Sequence, residues 1–383
     1  MKLIHLSDLH LGMRVSEVSL IEDQRYILEE ILKVIDIEQP DGVIIAGDVY
    51  DKSIPSTEAV ELFDEFLVKL AAKRLQVYII SGNHDSPERL AFAGSLIDMS
   101  GVHLSPVYKG NITPLSFNDE FGRVNIYMLP FVKPVHVKHY LNDEEKEKIV
   151  TYTDAIGRVI SDMNVDTSER NVLIAHQFVT GAVLSESEDI TVGGLDNVEA
   201  YVFAPFDYTA LGHIHKPQDI LGKGGEIRYC GTPLKYSFSE AGQEKSVTVV
   251  ELMQKGSVNI RTIPLNPKRD MVEIKGTYEQ LVSRSYYEKL NNKNDFYRIT
   301  LTDENDIPEA VARLRTVYPN ILKLDYENTR TSSRTDYVET VSDSESKTPL
   351  ELFSEFFKQQ NGSDMTEEQT ALISQLLEEI EAN

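Results

Sequence analysis

The chain has 383 residues, 41% of them hydrophobic and 26% charged. That is the balance of a soluble globular protein, with room for two or three domains at roughly 150 residues each, and it excludes collagen-like, disulfide-scaffold and wholly disordered classes. Against 38 basic residues stand 62 acidic ones, a net charge of −24, which alone argues against a nucleic-acid binder because phosphate recognition rests on a basic face.

Residues 3–6 form a short β-like run. Ile27, Leu28, Ile31, Leu32 and Ile35 then share one face at helical spacing. Residues 43–46 read as a buried strand. Val60, Phe63, Phe66, Leu67 and Leu70 repeat the helical pattern, and residues 77–80 give the next strand. This alternation predicts a layered α/β domain. Further strands are expected at 124–129, 172–175, 208–211 and 247–252, with 185–197 as a surface loop.

Pro264 and Pro267 mark a boundary. A small α+β module follows, with strands at 271–274, 296–301 and 322–326. Thr277 and Gln280 form a capping-box pair, and a helix through Ile307, Val311, Leu314 and Tyr318 opens at Pro308. Residues 329–346 hold nine Ser or Thr, a linker composition. Two short amphipathic helices close the chain, one capped by Thr348 and one by Thr366 with Gln369. From Asp343 onward, ten acidic and two basic residues carry −8 of the net charge.

The opening MKLIHLSDLH turns polar too soon for a secretory signal, and no run reaches the ~18 apolar residues of a membrane span. The single cysteine, Cys230, allows no intramolecular disulfide, suits a reducing compartment, and reads as a small buried residue. A cytoplasmic, nucleoid-associated protein with no membrane partner is expected.

Five polar clusters each follow an apolar run: Asp8-Leu9-His10, Gly47-Asp48, Gly82-Asn83-His84-Asp85, His176, and Gly212-His213-Ile214-His215. The carboxyl ends of strands in an α/β sheet are where ligand sites collect. Residues i and i+2 of an extended segment point the same way, so Asp8 can converge with His10, and His213 with His215. The glycines precede the polar residues where a tight turn or a close backbone approach is needed. Asp8, His10, Asp48, Asn83, His176, His213 and His215 are too many ligands for one ion, and a carboxylate can bridge two. Four imidazoles suit Mn, Fe or Zn better than Mg or Ca. Two divalent ions with two carboxylates and a bridging hydroxide leave a positive site that attracts a phosphodiester even in an acidic protein. Any one of these clusters alone is ordinarily structural; the ordered set of five is not. His5, His103, His136 and His139 fit no cluster and read as structural or surface residues.

The ordered set resembles the calcineurin-like metallophosphoesterase superfamily. Arg89, four residues after Asp85, and the run YCGTPLKYSFSE at 229–240 narrow the resemblance to the nuclease subunits of bacterial SbcCD complexes. The resemblance implies a four-layer αββα sandwich over residues 1–265, a DNA-binding cap over 266–328, a linker at 329–347, and a helix-loop-helix at 348–383. That last part would dock on an SMC-like ATPase of the SbcC type. It also implies two Mn²⁺ ions, with Mg²⁺, Fe or Zn as alternatives. The first would be held by Asp8, His10, Asp48 and His215, the second by Asp48, Asn83, His176 and His213. His84 would face the substrate and assist the leaving oxygen, with Asp48 as the bridging catalytic carboxylate. Archaeal and eukaryotic relatives tend to carry a histidine shortly after the Gly-Asp pair, where this chain has Asp51.

The implied activity is a Mn-dependent DNA nuclease, a 3′–5′ exonuclease on double strands and an endonuclease on hairpins. It would act as a homodimer within a heterotetramer in repair, recombination and replication. Lys52, Arg89 and Lys216, with Lys133 and Lys235, flank the motifs and are candidate phosphate contacts. Two rivals are a phosphoprotein phosphatase or cyclic-nucleotide phosphodiesterase on the same scaffold, and a catalytically dead scaffold for the ATPase. The cap and tail argue against the first, the intact ligand set against the second.

Overall fold

A computed structural model describes residues 1–92, 94–105, 107–185, 197–222, 224–290, 292–328, 349–361 and 364–381. The chain divides into two compact units, Met1–Asp270 and Met271–Asn383.

The strands of the first unit are β1 (Lys2–Leu6), the small hairpin β2 (Arg14–Val15) and β3 (Val18–Ser19), β4 (Gly42–Ala46), β5 (Gln76–Ile80), β6 (Val102–Ser105), β7 (Leu115–Asp119), β8 (Gly122–Met128), β9 (Arg170–His176), β10 (Tyr208–Gly212), β11 (Gln218–Ile220), β12 (Glu226–Tyr229), β13 (Ser246–Leu252) and β14 (Val258–Pro264). They build two six-stranded sheets, ordered β14-β13-β1-β4-β5-β6 and β11-β12-β10-β9-β8-β7. In the first, β1, β4, β5 and β6 run parallel and β13 closes antiparallel on β1; in the second, β8, β9, β10 and β12 are parallel.

Strand period two explains the layers. Leu3, Ile44, Ala46, Tyr78 and Ile80 of the first sheet meet Ile126, Ile174, Tyr208 and Ala210 of the second in one core. The alternate residues of the second sheet, Tyr127, Leu129, Leu173, Ala175 and Leu211, pack on Ala155, Ile156, Val159 and Ile160 of the helix Tyr152–Asp162. The helices Ile21–Glu38 and Thr57–Ala72 bury the apolar faces read from their spacing and pack on each other, the second also against β5. The architecture is therefore αββα, as expected. The run at 185–197 and the linker at 329–347 fall largely or wholly outside the described residues, as does Thr348.

The second unit has a parallel three-stranded sheet, β15 (Met271–Gly276), β16 (Phe296–Leu301) and β17 (Ile321–Tyr326), in that order. The Thr277 hydroxyl accepts from the Gln280 amide at 3.3 Å. The helix expected from Pro308 starts later and is short, Ala310–Leu314. The Ile307 amide donates instead to the Tyr326 hydroxyl at 3.1 Å, and Glu309 sits at φ 54°, which delays the first helical turn. Two further helices, Pro349–Asn361 and Glu367–Glu381, follow. Thr366 and Gln369 make the reciprocal capping bonds expected, at 2.9 and 3.3 Å. Among the described residues no helix is long and apolar enough to cross a membrane.

Candidate metal centre

The five clusters meet at one rim. Asp8 and His10 follow β1, Asp48 follows β4, Asn83 and His84 follow β5, His176 ends β9, and His213 and His215 follow β10. Both sheets contribute, because β4 packs against β9 and β10 across the inter-sheet core. The donor atoms fall into three overlapping groups: Asp8, His10 and His215; His10, Asp48 and His84; and Asp48, His176 and His213. Within each, the atoms lie within 4.8 Å of one another.

Local backbone geometry aims these side chains. Asp8, His10, Asp48 and His213 have φ of 51°, 42°, 47° and 100°. Such positions are rare for side-chain-bearing residues, cost about 1–3 kcal/mol each, and gather at functional sites. Here they are held by cross-strand bonds: the Asp8 amide donates to Gly47 O and the His10 amide to Asp48 O, both at 3.0 Å. A methyl group at Gly82 would fall on the Asp48 carboxylate, and one at Gly212 on the carbonyl of Ala46. The close approach expected at these glycines is present.

Several of the donors have an orienting partner. His176 Nδ1 donates to Ala46 O at 2.8 Å, which leaves Nε2 facing Asn83 Oδ1 at 3.0 Å and Asp48 Oδ2 at 3.2 Å. His213 Nδ1 also reaches Asn83 Oδ1, at 2.9 Å. His215 Nδ1 lies 3.4 Å from Glu240 Oε1, and Glu240 Oε2 is 2.6 Å from Lys245 Nζ, all buried. A carboxylate behind a ligating histidine fixes its tautomer and raises its basicity. The Gln24 side chain donates to His10 O at 2.7 Å. Asp85, which closes the GNHD motif but has no role assigned from sequence, accepts from the amides of Val49, Tyr50 and Gly82 at 3.1, 3.0 and 2.9 Å, and so ties the Asp48 loop to the Asn83 loop. Sequence reasoning also missed Glu240 and Lys245. The signal for Glu240 was the end of the YCGTPLKYSFSE run; for Lys245 there was none.

The electrostatics match a cation site. Burial opposes ionisation of Asp48, but the imidazoles of His176, His10 and His84 outweigh it and hold the carboxyl far below the usual range. Burial raises Asp8. Burial pushes His213 down to about 3 and lowers His10 well below its ordinary value, so both rings are neutral and ready to ligate. His176 suffers the same burial but is raised to about 9 by the Asp48 carboxylate beside it. Both ring nitrogens of His10 are buried without a hydrogen-bond partner. Such groups are costly to leave unsatisfied, and a metal ion between the three groups is the partner the donor set fits.

His84 stands at the edge of the centre and is partly exposed. Its amide donates to Asp48 Oδ1 at 2.9 Å, and its ring meets that of His10 edge-on at 4.9 Å. Asp51 supplies its carbonyl to His84 Nδ1 at 3.0 Å. Lys52, Arg89, Lys133 and Lys216 are exposed, whereas Lys235 is held by Asp270 at 2.9 Å. Cys230 is buried, with Sγ 3.0 Å from Ser7 Oγ. His5 is buried and bonded to the Tyr208 hydroxyl at 2.7 Å.

A two-sheet αββα sandwich with this donor cluster at its rim defines a metal-dependent phosphoester hydrolase with a dinuclear centre. Comparison with known proteins agrees: residues 1–217 match the family described as calcineurin-like phosphoesterase, and residues 267–361 match that described as type 5 capsule protein repressor C-terminal domain. A curated relative from Staphylococcus epidermidis, named as a subunit of the SbcCD nuclease, is 34% identical over 328 residues, 85% of each chain. A solved dimetal phosphatase from Danio rerio covers 70% of this chain and 99% of its own at 12% identity, with a TM-score of 0.43. The chain belongs to the calcineurin-like phosphoesterases and, within them, to the SbcD family.

Proposed function

We propose that this chain is a DNA nuclease working with an SMC-like ATPase of the SbcC type, and that its dinuclear centre is loaded with Mn²⁺. The observation that carries the reading is the convergence of Asp8, His10, Asp48, His176, His213 and His215, with Asn83 against His176 and His213 and both His10 ring nitrogens lacking a hydrogen-bond partner, on a chain 34% identical to a protein named as an SbcCD nuclease subunit.

Asp8, His10, Asp48 and His215 would hold one ion. Asp48, Asn83, His176 and His213 would hold the other, with Asp48 shared. Such a pair would supply Lewis acidity toward the phosphoryl oxygens and lower the pKa of bound water. The chain's own residues do the rest. Asp85 keeps the Asp48 and Asn83 loops in register. Glu240, itself neutralised by Lys245, orients His215. His84, anchored through Asp48 and Asp51, would protonate the leaving sugar oxygen, a role worth on the order of 10²–10⁴ in rate.

Residues 266–328 are assigned as the DNA-binding cap, and 348–383 as the partner-docking helix-loop-helix. The described part of the tail supports docking: Phe356, Leu372 and Leu376 are exposed apolar residues on its two helices. Lys52, Arg89 and Lys216 are assigned to phosphate contacts, and the working assembly to a homodimer within a heterotetramer. The deciding experiment is Mn²⁺-dependent cleavage of end-labelled hairpin and blunt duplex DNA, with and without the ATPase and ATP, beside p-nitrophenyl phosphate as a small substrate. Cleavage of the small ester but not of DNA would overturn the nuclease reading.

A further inference from the structure

A cavity of about 510 Å³ opens beside the metal centre, walled by Tyr108, Phe131, Val135, His136, His139 and Tyr140. It shares a wall with the centre. The Phe131 ring lies edge-on to His176 at 6.2 Å and stacks on His213 at 6.5 Å and 24°. The Phe131 amide is bonded to Ser81 O at 2.9 Å, just ahead of the Asn83 loop. The size suits one planar ring system, within the roughly 300–1,000 Å³ of small-ligand sites.

The lining is built rather than incidental. The Tyr108 hydroxyl donates to Gly110 O at 3.0 Å and Tyr140 to Tyr108 O at 3.3 Å, so the two rings meet edge-on at 5.6 Å. His136 Nδ1 accepts from the Lys133 amide at 3.2 Å, which leaves Nε2 as the protonated nitrogen of the neutral ring. Burial, then the Lys133 charge, lowers His136 from its ordinary value, and its ring lines the cavity.

Glu88 is the acidic side chain in the lining, but the segment that supplies most of the wall is basic although the chain is strongly acidic. No Asp or Glu occurs between Phe121 and Asp143, a stretch that carries Arg123, Lys133 and Lys138. Lys109 and Lys133, the chain neighbours of the lining residues Tyr108 and Val132, are exposed. Aromatic rings interleaved with cations form the surface that single strands use, with bases stacked and phosphates neutralised.

From these observations we infer that the Phe131–Tyr140 cavity receives an unpaired nucleobase of the strand whose phosphodiester lies at the metal centre. The inference rests on the nuclease reading and deepens it. The substrate presented to the centre is a single strand with a base turned out of the stack, held by ring contacts that read no particular sequence. A paired end would then have to open before cleavage.

The test uses the full chain. Val135 is 63% exposed at the cavity, so Val135→Glu places a carboxylate in the opening without disturbing the core. With Mn²⁺, this variant is expected to raise KM for a single-stranded oligonucleotide about tenfold, the scale of one lost base stack, and to leave kcat/KM for bis(p-nitrophenyl) phosphate within about twofold. An oligonucleotide lacking the base next to the cut should show the raised KM on the wild-type chain and no further rise on Val135→Glu. In EDTA, where nothing is cleaved, 2-aminopurine in the same strand should be quenched by the wild-type chain and not by the variant. An unchanged KM for DNA, equal losses on both substrates, or a further rise with the abasic strand would overturn the base site while leaving the nuclease reading intact. If the wild-type chain cleaves only the small ester, the nuclease reading fails, and the 2-aminopurine signal still decides whether a base is bound.

Discussion

The rim of the first unit and the core of the second are built on opposite rules. At the rim, four of the ten non-glycine residues with positive φ among the described residues converge on buried carboxylates and imidazoles. In the second unit, Ile274, Leu281, Tyr297, Ile299, Leu301 and Leu314 close an apolar core. Arg298 pairs with Asp325 and Glu273 outside that core, at 2.8 and 3.0 Å, and the unit's one positive-φ side chain among the described residues, Glu309, caps a helix. The first arrangement is locally strained and becomes satisfied when cations arrive. The second is satisfied by its own packing. Ligand binding should therefore stabilise the first unit strongly and leave the second indifferent.

The sharpest way to break that contrast is Asp48→Ala. It removes the carboxylate common to two donor groups, so both ions should be lost by metal analysis and phosphodiesterase activity should fall by more than ~10³; two retained ions would refute the bridge. His84→Ala should keep both ions and still lose about 10²–10⁴ of the rate, and full activity would remove His84 from the chemistry.

Leu314→Ala, at a fully buried position of the second unit, should cost about 2–5 kcal/mol of that unit's stability. Metal content and activity on a small diester should not change; a loss of metal would mean the two regions are not independent. Glu240→Gln should weaken metal affinity about 10–100-fold by loosening His215, measured by competition with a chelator, while the apo chain stays folded.

The smallest effect expected is on the pH dependence of stability. Arg170, and then the N-terminal ammonium, hold the Asp119 carboxyl well below the usual range. A depressed folded-state value stabilises above the unfolded value of about 3.9 and is lost as the pH falls through the folded one. Acid unfolding of Asp119→Asn should therefore be shallower than that of the parent chain, as followed by circular dichroism; identical profiles would show that the pair contributes nothing.

Much of this was legible beforehand because it is periodic or local. Runs such as 43–46 and 77–80 are continuously apolar and appear as fully buried strands within a residue of expectation. The edge strands β7 and β14 and the helix Tyr152–Asp162 were not singled out. The edge strands alternate between half-buried and exposed positions, which gives a weaker apolar signal. The helix from Pro308 was overread because a tertiary bond from Ile307 to Tyr326 competes with the local helical preference. The seven donors could be named because short motifs at strand ends carry them. The roles of Glu240 and Asp85 could not, because Glu240 acts on His215, 25 residues away, and Asp85 acts through backbone amides.

The sequence by itself determined which residues are chemically able to bind cations and which segments would become strands, since both follow from side-chain type and from a two-residue repeat. Only the tertiary structure decided that Asp48 stands among three imidazoles, that both His10 ring nitrogens are left without a hydrogen-bond partner, and that Phe131 divides the centre from an aromatic cavity. Those facts depend on how two separate sheets stack, and stacking is set by the fit of many side chains at once, a property no single stretch of chain contains.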